Sequence, residues 1–116
     1  MIDILSIEDD EIVREHLCEG LNAARFQVFD AENGDQAVRL LQQHSPNVVL
    51  TDLVMDEGEG IESIMEIQKI NPTIHTIAMS GKPKYLKTIG KLGTDSMLLK
   101  PFWMPQLIDV IEQGCR

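Results

Sequence analysis

Ile2-Asp3-Ile4-Leu5-Ser6-Ile7 runs directly into Glu8-Asp9-Asp10-Glu11, so an apolar stretch stops abruptly in four consecutive acids. A short apolar run of this kind predicts a strand buried on both faces. Beyond the acids, Val13, Leu17, Leu21 and Ala24 recur every three or four residues, which predicts an amphipathic helix. Asp10 sits where the N-cap of that helix belongs. The same unit then repeats along the chain. Phe26–Phe29 reads as a second strand, and Asn33-Gly34-Asp35 opens a helix with Ala37, Val38, Leu40 and Leu41 inward. Pro46 turns the chain into a third buried strand, Val48–Thr51. A helix from about Gly60 to Ile70 follows, with Ile61, Ile64, Met65 and Gln68 at helical spacing, and Asn71-Pro72 ends it. Ile74–Met79, Pro83 to about Leu92 and Ser96–Leu99 read as strand, helix and strand; Leu107, Ile108 and Ile111 mark a last helix. Five strand–helix alternations with short connections predict an α/β fold: a doubly wound five-stranded parallel sheet covered on both faces.

Length and composition narrow the function. At 116 residues the chain predicts one domain, 1–116, with no room for a second core. Nineteen acids against ten bases give a net charge of −9, which argues against a generic nucleic-acid surface. Nothing approaches the length of a membrane-spanning apolar run, and no secretory signal opens the sequence. Cys18 and Cys115 are too few for a disulfide framework, which fits a reducing, cytoplasmic setting. The charge is unevenly placed: residues 1–66 carry net −13 and residues 67–116 net +4.

Open parallel sheets bind ligands beyond the C-terminal ends of their strands, at the point where the strand order reverses. The predicted strand ends carry Glu8 and Asp9 (first), Asp52 (third), Ser80 and Gly81 (fourth), and Lys100 and Pro101 (fifth). Neither a dinucleotide glycine fingerprint nor a Walker-type loop is present. Clustered carboxylates call for a hard divalent cation, and Mg2+ takes two or three of them while keeping its waters. The set then suits phosphoryl transfer: Asp52 as nucleophile forming an aspartyl-phosphate, with Lys100 and the Ser80 hydroxyl meeting the remaining phosphoryl oxygens. Gly81 leaves room for the group to approach. A cis peptide would serve the turn at Lys100-Pro101. His16, His44 and His75 share no ligand spacing and read as surface or interfacial residues.

These residues resemble a known family over essentially the whole chain. Ile4-Leu5-Ser6-Ile7-Glu8-Asp9-Asp10-Glu11 with Arg14, Val48-Val49-Leu50-Thr51-Asp52-Leu53-Val54-Met55 with Gly60, Ala78-Met79-Ser80-Gly81, and Leu98-Leu99-Lys100-Pro101-Phe102 are similar, in order, to the blocks of a response regulator receiver domain of two-component signalling. The resemblance implies a CheY-like, flavodoxin-like (βα)5 fold with strand order 2-1-3-4-5. It implies Asp52 as phospho-acceptor, Asp9 as the direct metal carboxylate, Glu8 as its water-mediated neighbour, and the Val54 carbonyl as a further metal contact. Asp10 paired with Asp9 is a rival metal carboxylate. The resemblance makes Ser80 the hydroxyl that follows the phosphoryl group inward and Lys100 the lysine that pairs with it. It also implies Mg2+, which Mn2+ can replace, and a sensor histidine kinase or histidine phosphotransfer protein as donor. Self-hydrolysis of the aspartyl-phosphate and an output domain or target downstream, with homodimerisation a further option, complete the implied function.

The sequence departs from that pattern in three places. Met97 occupies the switch position, usually Tyr or Phe, and brings a flexible thioether instead of a ring. Asp56 replaces a frequent proline. The intervals from Asp52 to Ser80 and from Ser80 to Lys100 each run about two residues short, as shortened third and fourth helices would produce. Lys84, Lys87 and Lys91 share one face of the fourth helix, which predicts an acidic partner. Two other classes compete with the phosphorylated switch. One is a phosphorylation-independent pseudo-receiver that only binds proteins. The other is a Mg2+-dependent phosphohydrolase, disfavoured because Val54 stands where such an enzyme needs a second acid.

Overall fold

The protein is described by a computed structural model, which covers residues 2–53, 59–91 and 93–115. Ten elements alternate: β1 (Asp3–Ile7), α1 (Glu11–Ala23), β2 (Gln27–Ala31), α2 (Gly34–Gln43), β3 (Val48–Asp52), α3 (Glu59–Ile70), β4 (His75–Ser80), α4 (Pro83–Lys91), β5 (Ser96–Leu99) and α5 (Met104–Gly114). The strands form one parallel sheet in the order β2-β1-β3-β4-β5, so the strand order reverses at β1 and β3. The predicted fold class and strand order hold.

Side-chain alternation sorts the core onto the two faces. Ile4, Val48, Leu50, Ile77 and Met79 pack with Leu17 and Leu21 of α1 and Leu107 and Ile111 of α5. Leu5, Ile7 and Val49 point the other way, against Ala37 of α2 and Ile67 of α3. Leu53, Ile64, Ala78 and Ile89 close the layer between α3 and α4. β3 is buried along its whole length, as a central strand covered on both faces must be.

Local signals set most boundaries. The Asp10 carboxylate accepts hydrogen bonds from Ile12 N and Val13 N and so caps α1; Asn33 caps α2 through Gln36 N. Three expectations need correction. The second strand begins at Gln27 and runs to Ala31, because the Phe26 N–H bonds back to the Leu21 carbonyl and belongs to the turn after α1. On α3, Met65 is exposed and Ile67 is fully buried; the inner stripe runs through Ile64 and Ile67, one step round from the one read from Met65. Of the two helices expected to be short, α4 is the shortest of the five at nine residues, whereas α3 has twelve.

Candidate functional site

Each strand end contributes one part of the site. β1 delivers Glu8, whose N–H donates to the Ala31 carbonyl at 3.0 Å and whose carbonyl accepts from Arg14 Nη1 at 3.0 Å. Asp9 follows on the exposed turn, and β3 ends on the buried Asp52. β4 ends on the buried Ser80; Lys100 N donates to the Ser80 carbonyl at 2.8 Å, which extends the β4–β5 ladder past its last strand residue. The Lys100-Pro101 peptide is cis.

The side chains converge. Lys100 Nζ lies 3.0 Å from Asp52 Oδ2 and 3.6 Å from Glu8 Oε2. Glu8, Asp9 and Asp52 each offer an oxygen to a cluster whose members all lie within 4.8 Å of one another. Glu8 is almost wholly buried, at 1% exposure. Its Oε1 accepts from Asp10 N at 3.2 Å, while among the described residues its Oε2 has no hydrogen-bond partner. Burial first, and then the neighbouring Asp52 charge, push the Glu8 carboxyl up to about 7, against the opposing pull of the Asp10 N–H and the Lys100 ammonium.

This donor set fits a hard dication. The three clustered side chains offer carboxylate oxygens, and among the described residues a buried one, Glu8 Oε2, lacks a hydrogen bond, which a cation would satisfy. Asp10 is not among them: its carboxylate caps α1. Val54, Asp56 and the rest of residues 54–58 lie outside the described residues, so the expected Val54 carbonyl contact does too.

The other sequence-predicted residues each have neighbours of their own. The Ser80 hydroxyl is engaged with the backbone of Lys82, accepting from its N–H at 3.0 Å. Gly81, Lys100 and Pro101 line a hollow of about 470 Å³ together with Val13 and Phe102. Met97, opposite Ala78 in the sheet, is nearly half exposed, and its thioether rests over Gly90 of α4. Lys84, Lys87 and Lys91 are exposed along α4. His44 stacks on Phe29 and His75 bonds the Ser96 hydroxyl, so neither approaches the acids. Sequence reasoning matched Arg14 to a pattern without giving it a role. Its place four residues after Asp10, the one base in an acidic run, was the available signal.

Residues 4–112 match the family described as the response regulator receiver domain, and the chain belongs to that family, the receivers of two-component signalling. It is 34% identical over 111 residues to the chemotaxis protein CheY of Halobacterium salinarum, covering 93% of this chain and 92% of that protein. It is 30% identical over 113 residues to the chemotaxis protein CheY of Bacillus subtilis, covering 95% and 94%. Its fold matches that of the response regulator TrrA from Thermotoga maritima, solved in complex with Mg2+-BeF, with a TM-score of 0.89, 24% identity and coverage of 98% and 99%. Among the described residues no helix is long and apolar enough to cross a membrane.

Proposed function

We propose that the chain is a phosphorylation-dependent switch in which Asp52 takes a phosphoryl group from the phosphohistidine of a sensor histidine kinase or a histidine phosphotransfer protein. One juxtaposition carries this reading: Lys100 Nζ lies 3.0 Å from Asp52 Oδ2, beside the Glu8–Asp9–Asp52 oxygen cluster. An Asp52 carboxylate oxygen attacks phosphorus while the P–N bond breaks, and the electron pair of that bond returns to the imidazole, which is left protonated by water. Lys100 then meets an oxygen of the transferred group, and the Ser80 hydroxyl, released from Lys82, meets another. Glu8, Asp9 and Asp52 would hold Mg2+, which would supply neutralisation of the phosphoryl charge, a reading supported by the Mg2+-BeF complex of TrrA. Hydrolysis by water resets the switch. Residues 1–116 act as one receiver unit, and the face of α4, β5 and α5 carries the output. Its exposed lysines 84, 87 and 91 beside the exposed Met97 and Leu99 suit an acidic target.

The test is intact-mass analysis after incubation with acetyl phosphate, with and without Mg2+, for the wild type and Asp52→Asn. One phosphoryl mass that requires both Mg2+ and Asp52 is the expected result. Absence of an adduct, together with failure to bind beryllofluoride, would move the reading to a pseudo-receiver. Multiple turnover of an aryl phosphate would move it to a phosphohydrolase.

A further inference from the structure

Arg14 is an α1 residue whose side chain does not enter solvent, although it lies on the acidic half of the molecule. The side chain is only 12% exposed. Helical side chains lean toward the N-terminus of their helix; here that direction brings the guanidinium back over the β1–α1 turn. Nη1 donates to the Glu8 carbonyl at 3.0 Å, Nε lies 3.3 Å from Asp30 Oδ2, and Nη2 lies 3.6 Å from Glu32 Oε1. Asp30 and Glu32 are more than half exposed, so their ion pairs contribute little to stability by themselves. Their effect is geometric: from the end of β2 they fix a planar fork over one particular carbonyl.

That carbonyl belongs to the peptide linking Glu8 to Asp9. On its other side Glu8 is held by the bond from its N–H to Ala31, and beyond Asp9 the chain is held by the Asp10 cap. We propose that Arg14 is a positioning residue for the metal carboxylates: by fixing the Glu8–Asp9 peptide plane, it sets the angle at which Asp9 presents its oxygen beside Glu8 and Asp52. The inference rests on the metal-dependent reading above. Lysine cannot replace the fork, because an ammonium cannot span the carbonyl and two carboxylates in one plane.

Charge and geometry make opposite demands, which gives the test its sign. Removing a cation from an acidic edge strengthens dication binding through the field alone. Loss of positioning weakens it. Mg2+ affinity is measured by titration calorimetry on the full chain for the wild type, Arg14→Gln and Arg14→Lys, with thermal melts checking that each variant folds. Both variants are expected to bind Mg2+ about tenfold more weakly, the effect typical of a group that orients metal ligands. The Mg2+ concentration for half-maximal labelling by acetyl phosphate rises in parallel, while the labelling rate at saturating Mg2+ stays within about twofold, because Arg14 touches no reacting atom. A generally loosened fold would lower both. If Arg14→Gln does not fold, Arg14→Lys decides the question. Mg2+ binding by Arg14→Gln as tight as or tighter than wild type, or wild-type affinity in Arg14→Lys, would overturn the proposal. A wild type that binds Mg2+ but takes no phosphoryl group would defeat the receiver chemistry and leave the affinities to decide the role of Arg14. A wild type that binds no Mg2+ would overturn both.

Discussion

Adding one methyl group at Gly60 and one at Gly90 should change stability in opposite directions, although both glycines are helical. Replacing a helical glycine by alanine ordinarily stabilises by up to about 1 kcal/mol. At Gly60 that gain meets backbone. A Cβ there would lie 2.5 Å from the Asp52 carbonyl oxygen, 2.9 Å from Leu53 Cα and 3.3 Å from the Asp52 carbonyl carbon. No side chain can move aside, so the start of α3 must shift by roughly 1 Å from the end of β3 to reach ordinary contact. Overpacking of this kind costs about 1–3 kcal/mol, which exceeds the propensity gain. At Gly90 the nearest atoms are Cε and Sδ of Met97, both at 3.2 Å. An exposed thioether with three rotatable bonds yields easily, so the propensity gain survives.

Urea and thermal melts measure the difference. Gly60→Ala should lose about 1–2 kcal/mol net, lowering Tm by roughly 3–8 °C for a domain of this size; Gly90→Ala should raise it. Because the Gly60 clash falls on the peptide carrying Asp52, phosphoryl labelling should also slow, by up to about 100-fold if the carboxylate moves by 1 Å. The Gly90 variant should label at the wild-type rate. If Gly60→Ala were as stable and as reactive as wild type, or if both variants moved in the same direction, the close approach of α3 to β3 would be refuted.

Glu8 makes stability depend on pH with a definite sign. Its carboxyl is raised from 4.5 to about 7, so the metal-free folded state keeps a proton that the unfolded chain releases; this contribution is complete below about pH 4.5 and is lost as pH rises through 7, at up to about 1.4 kcal/mol per unit. Urea melts from pH 4 to 8 should show a downward component that Glu8→Gln lacks and excess Mg2+ suppresses. Lys100→Ala removes the ammonium from Asp52 and Glu8; it should destabilise the metal-free protein by about 1–2 kcal/mol at pH 8 and less at pH 5, where Glu8 is protonated, and should lower labelling by tenfold or more. Asp95→Ala deprives the buried Thr76 N–H of its acceptor at 2.9 Å and should cost about 1–3 kcal/mol by denaturant titration, whereas Asp95→Asn, which keeps an oxygen there, should cost less. Arg25 sits at φ 69 just after α1, so Arg25→Gly should raise stability by about 0.5–1 kcal/mol in the same assay.

What was legible in the sequence was whatever a short window encodes. The strands read as apolar runs because both faces are covered, and the site residues read as strand ends because an apolar run that stops in acids marks its own boundary. Asp10 as a cap was equally local. The inner face of α3 was misread because Ile61, Ile64, Met65 and Gln68 fit a helical stripe as well as Ile64 and Ile67 do; only packing against β1, β3 and α2 chooses between neighbouring stripes. Backbone approaches were not legible at all. Gly60 was matched to a pattern, but the reason it must lack a side chain is the Asp52 carbonyl, eight residues away on another element. The role of Arg14 was hidden in the same way, since two of its three acceptors come from β2 and the residue just after it.

The site also explains why one lysine sits among three acids. Three carboxylates at one sheet edge, two of them buried, repel one another; burial first, and then the Asp52 charge, raises the proton affinity of Glu8. A structure selected only for stability would replace such acids with neutral residues, because buried charges seldom return what their desolvation costs. Lys100 relieves the strain only in part: it is close to Asp52 but 3.6 Å from Glu8, and among the described residues Glu8 Oε2 is left without a hydrogen bond. The imbalance is useful under the function proposed. A lysine that neutralised every acid would leave no field to attract a dication. With no lysine, the transferred phosphoryl group would meet a purely anionic pocket. Placed against Asp52, Lys100 is already at the atom where the new negative charge arrives, so accepting the phosphoryl group requires it to change partners without being recruited from elsewhere.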